Sequence, residues 1–222
     1  MLETVHGFVV DSLGAKRSGG GVPYGLPYVA RGQRIGLLGG SFDPPHVGHV
    51  HITLEAMKRF ELDQVWWLVS PRNPLKSEGP VRLGRRMAAA RALMRHPRVF
   101  VSDFERLAGT RYTAQTIAKL QHVVPQAQFV WLMGADNLKQ FHRWKDWKDI
   151  MERVPVGVLA RPGERIEART AKAAQVYRAA RLHPRALRLL SRRPPPVWGF
   201  ADVPMRAISS TELRQSGVWL KD

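Results

Sequence analysis

Short apolar runs alternate with amphipathic segments along most of the chain. Continuous apolar runs bounded by turn residues are typical of strands buried on both faces of a parallel sheet, and apolar positions three to four residues apart are typical of helices packed on it. This alternation predicts a single-domain α/β fold, a Rossmann-like doubly wound parallel sheet. The predicted strands cover residues 34–38, 64–69, 98–102, 128–133, 154–159 and 197–203.

The first 33 residues lack this pattern. They are rich in glycine and small residues and show no sustained hydrophobic period. Such composition is typical of a chain that buries little apolar surface. We therefore predict a flexible extension over residues 1–33 and a folded domain over residues 34–222.

The stretch from Gly39 to His49 follows the first predicted strand and reads G-G-S-F-D-P-P-H-V-G-H. Glycines allow the backbone to approach a ligand closely, and the N-terminus of the helix that follows attracts anions. His46 and His49 are three residues apart, so we expect both imidazoles to face one point and donate to phosphate oxygens. Two alternatives are a histidine that merely caps the helix and a zinc pair. The zinc pair is disfavoured because the chain has no cysteine and no H-E-x-x-H motif.

Two further stretches suggest contacts to a nucleotide. Ser209, Ser210 and Arg214 open the last predicted helix, where hydroxyl and N–H groups with an arginine one turn later form an anion site. A capping box of Ser209 and Glu212 is the alternative. Asp136 follows a glycine at the end of a predicted strand and is expected to bind ribose hydroxyls or, alternatively, to cap a helix. Thr113 is expected to cap a helix that runs to about residue 122.

Composition narrows the classes of partner. The chain has 222 residues, 35 Lys and Arg against 18 Asp and Glu, and no cysteine. No apolar run approaches the ~20 residues that span a bilayer, and the N-terminus lacks a secretory pattern, so we predict a soluble, cytoplasmic protein without membrane contact. The charge of +17 favours an anionic partner. Much of it lies in residues 161–193, where arginines 178, 181, 185 and 188 have the spacing of one solvated helical face.

The motif G-x-F-D-P-x-H-x-G-H resembles the signature of the α/β-phosphodiesterase nucleotidyltransferase superfamily. The string I-S-S-T-x-L-R, residues 208–214, resembles the second phosphate motif of that superfamily. Within it, Y-T-A-Q-T at residues 112–116, the loop at residues 70–76 and the stretch 138–147 resemble bacterial nicotinate-nucleotide adenylyltransferases. The resemblance covers residues 34–217. Lys145 stands where a tyrosine is common, and Asn73-Pro74-Leu75 replaces a proline-proline-histidine run.

This resemblance implies AMP transfer from ATP to nicotinate mononucleotide, which yields deamido-NAD and pyrophosphate in NAD biosynthesis. It implies that Mg²⁺ arrives with ATP and that the protein supplies no metal ligands. The implied catalytic residues are His46, His49 and Arg214. The implied ATP-binding residues are Gly39, Gly40, Ser41, Phe42, His46, His49, Asp136, Arg161, Ser209, Ser210 and Arg214. The implied mononucleotide-binding residues are Ser41, Asn73, Lys76, Tyr112, Thr113, Trp144 and Lys145.

Three alternatives stay open from the sequence. Sister transferases act on phosphopantetheine or nicotinamide mononucleotide instead. A basic nucleic-acid-binding factor on a Rossmann frame is the rival from another class. We do not expect nucleic-acid binding, because the chain lacks the glycine-flanked aromatic motif of RNA-binding sheets and any C₂H₂ spacing. The oligomeric state is left open.

Overall fold

The computed structural model describes residues 4–5, 8–10, 16–17, 22–71, 81–160 and 170–204. Among them, a six-stranded parallel sheet forms the frame, with strand order β6-β5-β4-β7-β8-β9. Its strands are β4 (Arg34–Gly40), β5 (Gln64–Val69), β6 (Val99–Ser102), β7 (Gln128–Gly134), β8 (Val156–Ala160) and β9 (Trp198–Asp202). The predicted doubly wound α/β fold is confirmed.

Helices cover both faces of this sheet. They are α1 (Val47–Arg59), α2 (Leu83–Leu93), α3 (Phe104–Ala108), α4 (Thr113–Val123), α5 (Ala135–Gln140), α6 (Trp147–Arg153) and α7 (Lys172–Val176). The buried side chains of α1 and α2 pack with Trp67 and Leu132 on one face of the sheet. Those of α4, α6 and α7 pack with Trp66 and Trp131 on the other face. Among the described helices, none has the length and apolar character needed to cross a membrane.

Strand order places the site. The chain begins the sheet at β4 in its middle, proceeds outward through β5 and β6, and then reverses to β7 on the other side of β4. Helices on opposite faces diverge where the order reverses, so a crevice opens beyond the carboxyl ends of β4 and β7. The segment Gly39–His49 and Asp136 both lie at this edge.

The N-terminal region differs in part from its prediction. Short strands β1 (Thr4–Val5), β2 (Phe8–Val10) and β3 (Lys16–Arg17) form an antiparallel sheet among the described residues. Leu26 and Val29 are buried in the domain core. Residues 22–33 therefore pack as part of the domain rather than as a flexible extension, because apolar residues between the glycines and prolines reach the core.

The basic segment also departs from its prediction. A single helical face for arginines 178, 181, 185 and 188 is wrong, because two 3₁₀ helices, Arg178–Ala180 and Pro184–Arg192, replace one helix. Arg181 lies between them in extended backbone, with its guanidinium carbon 5.3 Å from the centre of the Trp198 ring. Proline cannot donate the hydrogen bond that a continuous helix requires here.

Candidate active site

The two histidines form a capping box at the start of α1, in which each side chain accepts a hydrogen bond from a nearby backbone N–H. His46 is the N-cap, and its Nδ1 accepts a hydrogen bond from the backbone N–H of Gly48 at 3.1 Å. Nδ1 of His49 accepts from the backbone N–H of His46 at 3.2 Å. A neutral imidazole that accepts at Nδ1 carries its proton on Nε2. The reciprocal cap therefore makes the Nε2–H groups the donors of both rings.

An aromatic stack supports these rings. The centre of the His49 ring lies 4.0 Å from that of His46 and 4.7 Å from that of Phe42, and Phe42 stacks on Trp67 at 4.9 Å. The Trp67 indole N–H donates to Thr53 Oγ1 at 2.8 Å, and that hydroxyl donates to the carbonyl of His49 at 2.8 Å. Phe42, Trp67 and Thr53 are buried, so their packing in the core fixes the orientation of the His49 ring.

Burial sets the charge of His49. Loss of hydration and, to a smaller extent, the neighbouring His46 lower its pKa to about 3, while the hydrogen bond with the His46 backbone acts in the opposite direction. His49 is therefore neutral at physiological pH. It offers a polarised N–H to an anion without carrying a charge that burial would penalise.

A second group of residues lies around the start of α4. The ammonium of Lys145 lies 5.1 Å from the centre of the Tyr112 ring, and the guanidinium of Arg111 lies 5.5 Å from it. Trp144 packs edge-on against Trp131 and Phe141, with ring centres 6.2 and 5.2 Å apart. Its indole N–H is buried and has no hydrogen-bond partner in the part of the chain that the structure describes. Segments far apart in sequence thus form one cationic, aromatic surface.

Trp131 connects the two groups. It lies on β7 beside Gly39, where an ideal Cβ would approach Trp131 Cη2 to 2.5 Å. The same Trp131 ring contacts Trp144. The end of β4 and the aromatic ring of the second group are therefore separated by one indole. Gly39 has a packing role in addition to any contact with a ligand.

The chain is similar in sequence to known proteins over most of its length. A family model described as cytidylyltransferase-like matches residues 37–216. A relative from Ruegeria pomeroyi, named "Probable nicotinate-nucleotide adenylyltransferase", is 61% identical over 195 residues, which are 88% of this chain and 92% of the relative. This chain belongs to the nicotinate-nucleotide adenylyltransferase family. It is accordingly a nucleotidyltransferase of the cytidylyltransferase-like class.

More distant members agree with this family assignment. A relative of the same name from Methylorubrum extorquens is 48% identical over 183 residues, which are 82% of this chain and 99% of the relative. The solved structure of Plasmodium falciparum nicotinic acid mononucleotide adenylyltransferase complexed with NaAD has a TM-score of 0.61 at 16% identity. The superposition of the two structures covers 82% of this chain and 83% of the Plasmodium falciparum chain. At that identity the likeness supports the fold of the family.

Several predicted site residues lie at the crevice. Gly39 and Gly40 end β4, and Ser41 and Phe42 follow at its carboxyl end. Phe42 adopts a positive φ of 48°, which turns the chain toward α1. Other predicted residues lie outside the described part of the chain, and their roles stay predictions. They are Asn73, Lys76, Arg161, Ser209, Ser210 and Arg214.

Two capping predictions are wrong. Asp136 does not cap α5, because Gly134 occupies that position and Asp136 lies exposed in the first turn. Its carboxylate folds back to the place that a Cβ on Gly134 would occupy. Thr113 is the first residue of α4 rather than its cap, which is Tyr112. The side chain of Gln115 accepts a hydrogen bond from the backbone N–H of Tyr112 at 3.3 Å.

Sequence reasoning missed two buried charged residues of this region. Glu105 lies on α3, where Thr116 Oγ1 of α4 is 3.5 Å from its Oε1, and burial raises the pKa of Glu105 to about 7. Arg86 lies on α2 and is almost completely buried. The signal for Arg86 was its helical spacing with the apolar positions Ala90 and Leu83, which marks the face that packs on the sheet.

Proposed function

We propose that this chain transfers AMP from ATP to nicotinate mononucleotide and releases pyrophosphate and deamido-NAD. The observation that carries the proposal is the reciprocal cap of His46 and His49 at the crevice of the sheet. The cap presents two N–H donors beside a helix N-terminus, which suits a polyphosphate. Membership of the nicotinate-nucleotide adenylyltransferase family supports the choice of acceptor.

The reaction needs positioning more than acid–base chemistry. A phosphate oxygen of the mononucleotide forms a bond to the α-phosphorus of ATP, and the bond from that phosphorus to the bridging oxygen of pyrophosphate breaks. Because the attacking oxygen is already anionic, no general base is required, and catalysis rests on alignment and charge stabilisation. The Nε2–H groups of His46 and His49 stabilise the oxygens on which negative charge increases.

We assign the remaining ATP contacts from the motifs. Gly39, Gly40, Ser41 and Phe42 provide the wall of the crevice at the end of β4. Exposed Asp136, at the end of neighbouring β7, is assigned to the ribose hydroxyls. Residues outside the described part complete the assignment, with Arg161 near adenine and Ser209, Ser210 and Arg214 on the triphosphate. Mg²⁺ enters as part of the ATP substrate and offsets phosphate charge there.

The acceptor is assigned to the surface around the start of α4. The N–H groups and positive dipole end of this 11-residue helix suit the carboxylate of nicotinate. Lys145, whose ammonium lies over the Tyr112 ring, adds positive charge at the same place. Trp144 supplies an aromatic ring for the pyridine. Ser41, Asn73, Lys76 and Thr113 complete the predicted acceptor contacts.

We infer a cytoplasmic location, since a chain without cysteine is compatible with a reducing compartment. We propose no nucleic-acid partner. Exposed arginines of the basic segment would be the contacts for a nucleic acid, but two of them pair with an acidic residue. Arg188 Nε lies 3.8 Å from Oε1 of Glu61, and Arg192 Nη2 lies 3.2 Å from its Oε2. Their charge is thus partly neutralised within the protein.

The test is ATP turnover to pyrophosphate with each acceptor added separately. We expect release of pyrophosphate with nicotinate mononucleotide and little with phosphopantetheine. A nucleic-acid-binding factor would instead show salt-sensitive polynucleotide binding and no turnover with any acceptor. That pattern would contradict the proposal.

A further inference from the structure

Arg86 is a charged residue inside the core. It lies in α2 with 1% of its surface exposed, on the face of the helix that packs against β5. Burial lowers its pKa, and attraction to the buried carboxylate of Asp43 raises it. An arginine remains charged in proteins even so. A buried charge is costly unless hydrogen bonds satisfy it, so its partners reveal what the charge does.

The described partners of the Arg86 guanidinium are backbone carbonyl oxygens. Its Nε donates to Val81 at 2.7 Å, and Nη2 donates to Pro71 at 3.2 Å. Nη1 donates to Ser41 at 2.5 Å and to Ser70 at 2.8 Å. One planar group therefore holds three stretches of backbone together.

Two of these stretches belong to the proposed site. Ser41 lies between Gly40 and Phe42, in the loop that carries the histidines. Ser70 and Pro71 follow β5 and lead into residues 72–80, which contain the predicted acceptor residues Asn73 and Lys76. Ser70 makes a second connection between the same stretches, because its N–H and its hydroxyl both donate to the carbonyl of Gly40, at 2.9 and 3.1 Å.

We propose that Arg86 is a positioning residue for the transfer, because it fixes Ser41 in the loop after β4 and Ser70 and Pro71 after β5 at one spacing. This inference rests on the proposed function, in which the first loop serves ATP and the second serves the acceptor. The attacking oxygen must lie in line with the α-phosphorus, and a misplacement of about 1 Å costs about 10²-fold in rate. Arg86 is not itself one of the predicted ligand contacts, so we expect it to control the alignment of bound substrates more than the binding of either one.

The experiment compares Arg86→Lys with Arg91→Gln, a control at an exposed arginine of the same helix. Lysine keeps the charge but offers a point charge without the planar fork that reaches several carbonyls. For each protein, kcat is measured per folded enzyme, and the Kd of ATP and of nicotinate mononucleotide is measured with each substrate alone. We expect Arg86→Lys to lower kcat by about 10- to 100-fold while each Kd changes by less than about threefold. Arg91→Gln should match the wild type in all three constants.

The inference is overturned if Arg86→Lys keeps kcat within about twofold of the wild type, or if kcat falls no more than either Kd rises. Should this variant not fold, Ser70→Ala decides in its place, since it removes one hydrogen bond between the same loops. A kcat reduced about three- to tenfold with unchanged Kd values supports the inference, and an unchanged kcat overturns it. Wild-type enzyme that transfers no AMP would overturn the proposed function and this inference with it. Wild-type turnover with an unaffected Arg86→Lys overturns this inference alone.

Discussion

The phosphate region around His46 and His49 and the acceptor region around the start of α4 are built in different ways. The phosphate region is one continuous segment whose backbone N–H groups and imidazoles satisfy each other. The acceptor region combines α4 with Glu105 of the preceding helix α3 and with Lys145, which lies well beyond α4 along the chain. A site closed by local hydrogen bonds keeps its geometry when distant parts of the fold move. A site assembled from three segments depends on their packing.

Each region also contains a buried group whose neutral form the fold favours, and the pKa values of the two groups shift in opposite directions. The pKa of His49, about 3, lies below its ordinary value of 6.5, so its contribution to stability is present above pH 6.5 and is lost as pH falls toward 3. The pKa of Glu105, about 7, lies above its ordinary value of 4.5. Its contribution is therefore present below pH 4.5 and is lost as pH rises through 7.

The largest expected effect is that of His49→Ala on turnover. Loss of one preorganised donor to the developing charge should lower kcat by about 10²-fold or more. The same change removes the acceptor for the His46 N–H, so the free energy of unfolding should fall by only about 0.5–2 kcal/mol. Steady-state kinetics at saturating ATP and a denaturant titration measure the two effects. Wild-type kcat in a folded variant would refute the phosphate role.

The second effect concerns stability in the acceptor region. Glu105→Gln keeps the side chain neutral at all pH values and leaves a group that can accept from Thr116. We expect it to raise the free energy of unfolding on the order of 1–3 kcal/mol at pH 8 and to change it little at pH 4. Chemical denaturation at both pH values provides the measurement. An equal difference at the two pH values would show that Glu105 does not titrate as its burial indicates.

A third effect of similar size tests the junction between the two regions. A Cβ at Gly39 would overlap the Trp131 ring, so Gly39→Ala should destabilise the fold by about 1–3 kcal/mol through overpacking. Gly84 of α2 is the matched control, because a Cβ there meets nothing within 4 Å. Gly84→Ala should stabilise the protein by about 0.5–1 kcal/mol. Thermal unfolding of both variants measures the contrast, and a tolerated Gly39→Ala would show that Trp131 can shift.

The same contrast explains how much of the site could be predicted from the sequence. The segment Gly39–His49 was predictable because its glycines, prolines and paired histidines interact within a few residues. The strands were predictable because their apolar runs are continuous, with boundaries that moved by a residue or two where proline or a cap intervenes. For example, the strand expected to begin at Val154 begins at Val156, after Pro155.

Interactions between distant residues were not predictable in this way. The pairing of Lys145 with Tyr112 depends on how the segment after α5 packs against α4, which no local pattern encodes. Arg86 was not singled out from the sequence because arginine is usually exposed, and its hydrogen-bond partners are backbone carbonyls that any sequence would provide. Thr113 was taken as a cap because threonine is a common N-cap residue, whereas the structure has Tyr112 in that position, with its backbone N–H bonded to the side chain of Gln115.

The measurement that tests the account most directly is kcat/KM for nicotinate mononucleotide against nicotinamide mononucleotide, with the same enzyme and ATP. The start of α4 presents N–H donors and Lys145 presents a cation, so a carboxylate is satisfied there, whereas the NH₂ group of an amide meets donors. An unsatisfied buried polar group costs about 1–3 kcal/mol, which predicts at least a tenfold preference for the acid. Equal values, or a preference for the amide, would contradict the assignment of the acceptor surface.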